Sequence, residues 1–157
     1  MTGYLVLSTL HTNDAPSSLP RLVEMGVEPY LVASAIDCIV AQRLARKLCN
    51  KCREPYKPTP AEMEAAGYPE FVWEDIKELY RPVGCTACSK TGFRGRLGLY
   101  EVMPMSEEIE RMVVERAPSE EVRRSARRDG MVTLREDGLE KVRMGVTSVQ
   151  EVLRVVT

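Results

Sequence analysis

The chain has 157 residues and a formal net charge of −1, with 44% hydrophobic and 29% charged residues. That length holds one ordinary domain or two small ones, and the balance excludes a disordered chain. The near-zero charge argues against a protein whose main task is coating nucleic acid, since phosphate neutralisation takes an excess of Lys and Arg, and no apolar run reaches the roughly 20 residues that span a bilayer.

Residues 3–9 (GYLVLST) read as a short strand. It is apolar almost throughout, as expected for burial on both faces of a parallel sheet. The opening MTGYLVLSTL has no basic region and no convincing cleavage site, so it is a poor signal peptide. His11, the one histidine of the chain, follows, and then Thr12, Asn13 and Asp14. Asn13 and Asp14 suit an N-cap and Pro16 a first helical turn. Leu19, Leu22 and Val23 recur at helical spacing until Gly26. Pro29 opens a second helix, whose Leu31, Val32, Ala35, Ile36, Ile39 and Val40 form a wide apolar face. Cys38 falls on that face and reads as a small buried side chain. Strand, helix, helix, with polar residues where the strand ends, predicts part of an α/β layer.

From Arg43 the character changes. RLARKLCNKCR is basic and carries two cysteines, and REPYKPTP reads as a loop. A short helical insert is expected over 60–79, with Phe71 and Trp73 as anchors. GCTAC brings a second cysteine pair, and TGFRGRLGLYEVM reads as turns leading into a strand. The last third is helical. Ser106 opens a helix with acids in its first turn, and Pro118 a second with acids early and bases late, which complements the helix dipole. Two further amphipathic helices follow, each with a Thr or Ser start.

Cys49-x-x-Cys52 and Cys85-x-x-Cys88 form the strongest pattern in the chain. Two such turns can close a tetrahedral thiolate shell around Zn²⁺, and a closed shell is structural because no position is left for water. Five cysteines without an export signal fit a reducing compartment, where clustered thiols bind metal more often than they pair. Four thiolates and Zn²⁺ carry a formal charge of about −2, which Lys47, Lys51, Arg53, Lys90 and Arg94 could offset. The long spacing between the pairs is accounted for by the helical insert.

Taken together, these segments resemble a known family. TGYLVLSTLHTNDA is similar to the His box of the secretion and pilus-assembly ATPases, the GspE/PilB group of type II secretion and type IV pilus motors. AQRLARKLC, the two C-x-x-C turns, GFRGRLGLYEVM and the helical tail follow in the family's order, so the resemblance covers essentially the whole chain. It implies a partial RecA-like P-loop NTPase core (1–46), a tetracysteine zinc subdomain (47–103) and an all-α C-terminal subdomain (104–157). It implies His11 near the nucleotide phosphates, with Thr9, Thr12, Asn13 and Asp14 in the same box. Arg43 matches a position after the core, as a possible core or subunit contact. Tyr4 departs from the pattern, since the box often has a histidine there. The family implies a hexamer at the cytoplasmic face of the inner membrane, working on a membrane platform protein and using ATP and Mg²⁺.

No match to G-x-x-x-x-G-K-[ST] occurs, and no acidic magnesium-holding segment follows an apolar strand. Phosphoryl transfer depends on those parts for positioning and charge neutralisation. The expectation is therefore a C-terminal piece of a longer motor, with an orphaned strand at its start and no ATP turnover of its own. The alternatives are a zinc-ribbon nucleic-acid-binding module, carried by the basic run 43–57, and a protein-interaction module carried by the helical tail. Sparse aromatics (6%) speak against nucleic acid, and none is expected as a partner.

Overall fold

The structure, a computed structural model, describes residues 4–156. In chain order its elements are α1 (Ser18–Glu24), α2 (Pro29–Ala35), β1 (Cys38–Leu48), β2 (Glu54–Tyr56), α3 (Pro60–Ala66), β3 (Leu79–Arg81), β4 (Phe93–Pro104), α4 (Glu107–Val114), α5 (Ser119–Arg128), α6 (Leu134–Arg143) and α7 (Val149–Val155). The described residues are thus mixed α/β, with two two-stranded sheets, β1 with β4 and β2 with β3. β2 and β3 are antiparallel, with Glu54, Pro55 and Tyr56 opposite Arg81, Tyr80 and Leu79. On the long ribbon, Met105 N–H donates to Asp37 O (2.9 Å) and Cys49 N–H to Gly92 O (2.9 Å). Positions therefore rise on β1 as they fall on β4, so this pair is antiparallel too.

The chain divides into two compact units, residues 1–42 with 100–133, and residues 43–99 with 134–157. In the first, Leu19 of α1, Val32 of α2, Met103 of β4, Ile109 and Val113 of α4 and Val122 of α5 are buried in one cluster. Each such side chain contributes about 1.5–3 kcal/mol through burial. The loop before α1 is fixed by polar groups. Asp14 Oδ1 accepts from Ser17 N–H (2.8 Å), and Asp14 Oδ2 pairs with Arg123 of α5 (2.8 Å). The buried Glu101 of β4 accepts the Ala15 N–H at 2.8 Å.

The second unit closes around Met63, Ala66, Tyr68, Ile76, Leu79, Leu139, Val142 and Val152. α3 begins with a capping box. Thr59 Oγ1 accepts from Glu62 N–H, and the Glu62 carboxylate accepts from Thr59 N–H. At its other end Arg135 of α6 donates to the Ala66 carbonyl from Nε (3.1 Å) and Nη2 (2.9 Å). The Tyr68 hydroxyl donates to Leu139 O (2.8 Å), and the Trp73 indole to Tyr68 O (2.9 Å).

Four expectations are corrected. Residues 4–12 form no strand, and Val6 and Leu7 are 74% and 89% exposed. Gly3 of that expected strand lies outside the described residues. A strand needs a neighbour to take its N–H and C=O groups, and neither sheet offers one here. The second helix stops at Ala35 instead of running to Val40, because β1 starts at Cys38 and pairs with β4. Long-range pairing outweighs a helical periodicity that is equally readable as an alternating strand. Cys38 is consequently exposed on β1 and is not a core residue. In the insert, Phe71 is 83% exposed, because Tyr68 and Ile76 take the inward positions around the 3₁₀ turn Glu70–Val72.

Candidate metal centre

β1 delivers the first cysteine pair. Leu48 N–H bonds to Val146 O (2.8 Å), which fixes the end of the strand one residue before Cys49. The chain then turns sharply, with Cys52 N–H and Arg53 N–H both donating to Cys49 O (3.1 and 2.9 Å). The second pair lies on the 3₁₀ turn Thr86–Cys88. Cys88 N–H and Lys90 N–H donate to Cys85 O (3.2 and 2.8 Å). Two glycines make this turn possible. Gly84 (φ +113°) and Gly92 (φ +77°) are left-handed, and a Cβ on either would come within 2.5 Å of Lys90 O or Pro82 Cβ.

The four Sγ atoms lie within 4.8 Å of one another. Three edges are measured: Cys49–Cys85 at 3.9 Å, Cys52–Cys88 at 3.8 Å and Cys85–Cys88 at 3.7 Å. A tetrahedron of sulfurs around a metal at 2.3 Å has an edge of about 3.8 Å. The cluster therefore has the size of a four-thiolate metal site and could hold one ion. None of the pairs is a disulfide. Backbone donors already point at sulfur: Gly84 N–H at Cys52 (3.3 Å), Cys85 N–H at Cys88 (3.2 Å) and Gly92 N–H at Cys88 (3.2 Å). Such bonds favour thiolate over thiol.

The thiols are unequal without a metal. Cys88 is pulled down to about 6, first by the Cys85 N–H and, against the opposing effect of burial, also by the Gly92 N–H. Cys52 is pushed up to about 11, first by burial, which outweighs its Gly84 N–H bond. Cys88 is thus ready as an anion at neutral pH, and an incoming cation would displace the proton of Cys52.

The residues read as a His box lie apart from the cysteines in chain and unit. Thr9, His11 and Asn13 are exposed, and Thr12 and Asp14 half-buried. Thr12 Oγ1 shares a hydrogen bond with Ser18 Oγ (2.8 Å) and donates to Asp14 O (3.2 Å). Arg43 is half-buried on β1. Sequence reasoning missed Glu101 and Arg123, the two side chains that hold this loop. The clue to Glu101 was present: β4 buries Leu99, Glu101 and Met103 in strict alternation, so a carboxylate stood where an apolar residue belonged. It also missed Glu151 of α7, whose buried carboxylate accepts from Arg46 Nη2 (2.7 Å) and Arg154 Nη2 (2.6 Å).

Residues 1–154 match the family described as Type II/IV secretion system protein. The chain is 41% identical over 153 residues to the type IV pilus assembly ATPase PilB of Thermus thermophilus, covering 98% of this chain and 17% of that protein. It is 43% identical over 154 residues to PilB of Pseudomonas aeruginosa, covering 98% and 27%. It is likewise 43% identical over 155 residues to the type II secretion system protein E of the same organism, covering 99% and 30%. The chain therefore spans less than a third of the length of these curated relatives.

Proposed function

The chain belongs to the Type II/IV secretion system protein family, and from that premise we propose that it is the C-terminal part of a motor ATPase driving type IV pilus assembly or type II secretion. The observation that carries the reading is the sulfur cluster: its tetrahedral edges sit on a chain matched to the family over residues 1–154. Residues 1–46 are read as the end of a RecA-like core, 47–103 as the metal subdomain and 104–157 as a helical subdomain.

Cys49, Cys52, Cys85 and Cys88 hold a structural Zn²⁺ that cross-links two turns 33 residues apart in the chain between Cys52 and Cys85. His11, with Thr9, Thr12, Asn13 and Asp14, stands near the nucleotide phosphates once the phosphate-binding parts of the motor are beside it. The loop that carries these residues is anchored by Glu101 on Ala15 and Arg123 on Asp14, so the presentation of His11 depends on two distant elements. Arg43 contacts the core or a neighbouring subunit. ATP and Mg²⁺ are ligands of the complete motor, which works as a hexamer on a platform protein at the cytoplasmic face of the inner membrane. Among the described residues no helix is long and apolar enough to cross a membrane.

Two measurements test the reading. Chain purified without added zinc carries about one equivalent of the metal; a near-zero content with four freely titrating thiols overturns the metal assignment. The chain alone turns over no ATP. Joined to a phosphate-loop core from a relative, it supports turnover that His11→Ala lowers about 10²-fold or more in kcat; a joined protein indifferent to that change removes His11 from the nucleotide site.

A further inference from the structure

Beside the sulfur cluster lies a cavity of about 560 Å³. Lys47, Lys51, Arg53 and Arg94 line it, and no Asp or Glu does. Lys47, Lys51 and Arg94 are exposed, and their side chains have no ion pair or hydrogen bond among the described residues. Arg53 is held in place: its guanidinium donates to Gly145 O and stacks 4.5 Å over the Tyr80 ring. Apolar surface from Met144 and Val146 completes the lining.

Metal charge compensation does not exhaust these cations. Four thiolates with one Zn²⁺ carry a formal −2, and the four lining cations carry +4, which leaves two positive charges facing the cavity. Like charges converging on one concavity repel one another, and an anion relieves that repulsion. The volume falls within the roughly 300–1,000 Å³ of small-molecule sites, and apolar surface with a few convergent charges is their usual make-up. Two guanidiniums offer forked donors that match phosphate oxygens, and two ammonium groups add point charge. A concavity of this size suits a compact ligand better than an extended acidic peptide.

We propose that this cavity is a binding site for a small, multiply charged phosphate compound, its phosphates on Lys47, Lys51, Arg53 and Arg94 and its less polar part against Met144 and Val146. The site is separate from the His box, and its occupancy does not require the motor reading to hold.

The test is calorimetric titration of the zinc-loaded full chain with inorganic tripolyphosphate at low salt, with zinc content measured before and after. Saturable binding is expected, weakening as salt rises and screens the charges. Lys51→Glu combined with Arg94→Glu should weaken it at least about tenfold. Neither side chain ligates the metal, but both offset its charge, so affinities are compared at a zinc content and Trp73 fluorescence equal to those of the parent chain. Lys51→Ala with Arg94→Ala serves as the milder pair if the reversals disturb folding. Adenosine triphosphate should bind at least as tightly as tripolyphosphate. Absence of saturable binding overturns the proposal, as does unchanged affinity in both variant pairs. Binding only to phosphatidylglycerol vesicles, with none to tripolyphosphate, also overturns it and moves the surface to a lipid role.

Discussion

Glu151 is the residue with the most at stake. Its side chain is 0% exposed, yet it is ionised between two arginines. Burial alone would raise its pKa from the ordinary 4.5; hydrogen bonds from Arg154 and from Arg46, including the Arg46 N–H, outweigh this and hold it at about 2. A carboxylate depressed in the folded state stabilises above its unfolded value and loses that contribution as pH falls through the folded one. The window here runs from about 4.5 down to about 2. Arg46 and Arg154 are 46% and 57% exposed, so solvent screening leaves about 1–2 kcal/mol of the full linkage. Acid titration of stability should therefore fall across that window, and Glu151→Gln should flatten part of the fall. At pH 7 the same change should cost about 2–3 kcal/mol by denaturant unfolding, since it weakens a buried ionic network. Locally Glu151 shows only an S-x-x-E helix start and an arginine three residues on, neither of which foretells its burial. Its partner Arg46 stands 105 positions away, and only folding brings the two together.

At the scale of elements, the two cysteine turns and the strand that follows the second of them were legible, and β1, β2 and β3 were not. A C-x-x-C turn is local, so spacing alone implies that two sulfurs meet. β1 is different. Its residues Cys38–Leu48 alternate in burial only because β4 lies alongside, and the sequence of that partner begins at Phe93. Without it, Ile36, Ile39 and Val40 fit a helix equally well. The helices α4 to α7 were readable because their caps, acids and apolar stripes are local. One detail differed: Ser106 stands at the N-cap of α4 without capping it, and its hydroxyl donates to Asp129 instead (2.9 Å). The glycines of the second cysteine turn yield a sharp expectation. Gly92→Ala strains a left-handed backbone and drives a methyl onto Pro82. It should cost about 1–3 kcal/mol and lower metal affinity at least tenfold in a competitive chelator titration, while an exposed change away from the cysteine turns, Lys77→Ala, leaves affinity nearly unchanged.

For the molecule as a whole, the candidate metal site and the lone tryptophan belong to the same unit. Trp73 packs against the cluster of Tyr68, Ile76 and Leu139, and the four cysteines lie within residues 43–99. Chelating the metal should therefore lower the thermal midpoint followed by Trp73 fluorescence. The first unit has its own core around Leu19, Val32 and Ile109, so a probe there should move less. Equal shifts at both probes would mean that the two cores melt as one. The family could be recognised from motifs, but the division into units only in part. The turn to basic, cysteine-bearing sequence at Arg43 falls on the first crossing between units, whereas the crossings after 99 and 133 carry no such mark, because each unit is assembled from two separated stretches held by contacts that form only in the fold.

That interleaving sets how the gene tolerates damage. The chain passes between units at three points, after residues 42, 99 and 133. A premature stop just beyond the last of these would leave the first unit with its full sequence. The second would keep every metal ligand but lose Leu139, Val142 and Val152 from its core and Gly145 from Arg53. Its thiols would survive in the message without the walls that shape them, and nonsense alleles in this final stretch should fail by losing the centre while encoding all four of its cysteines.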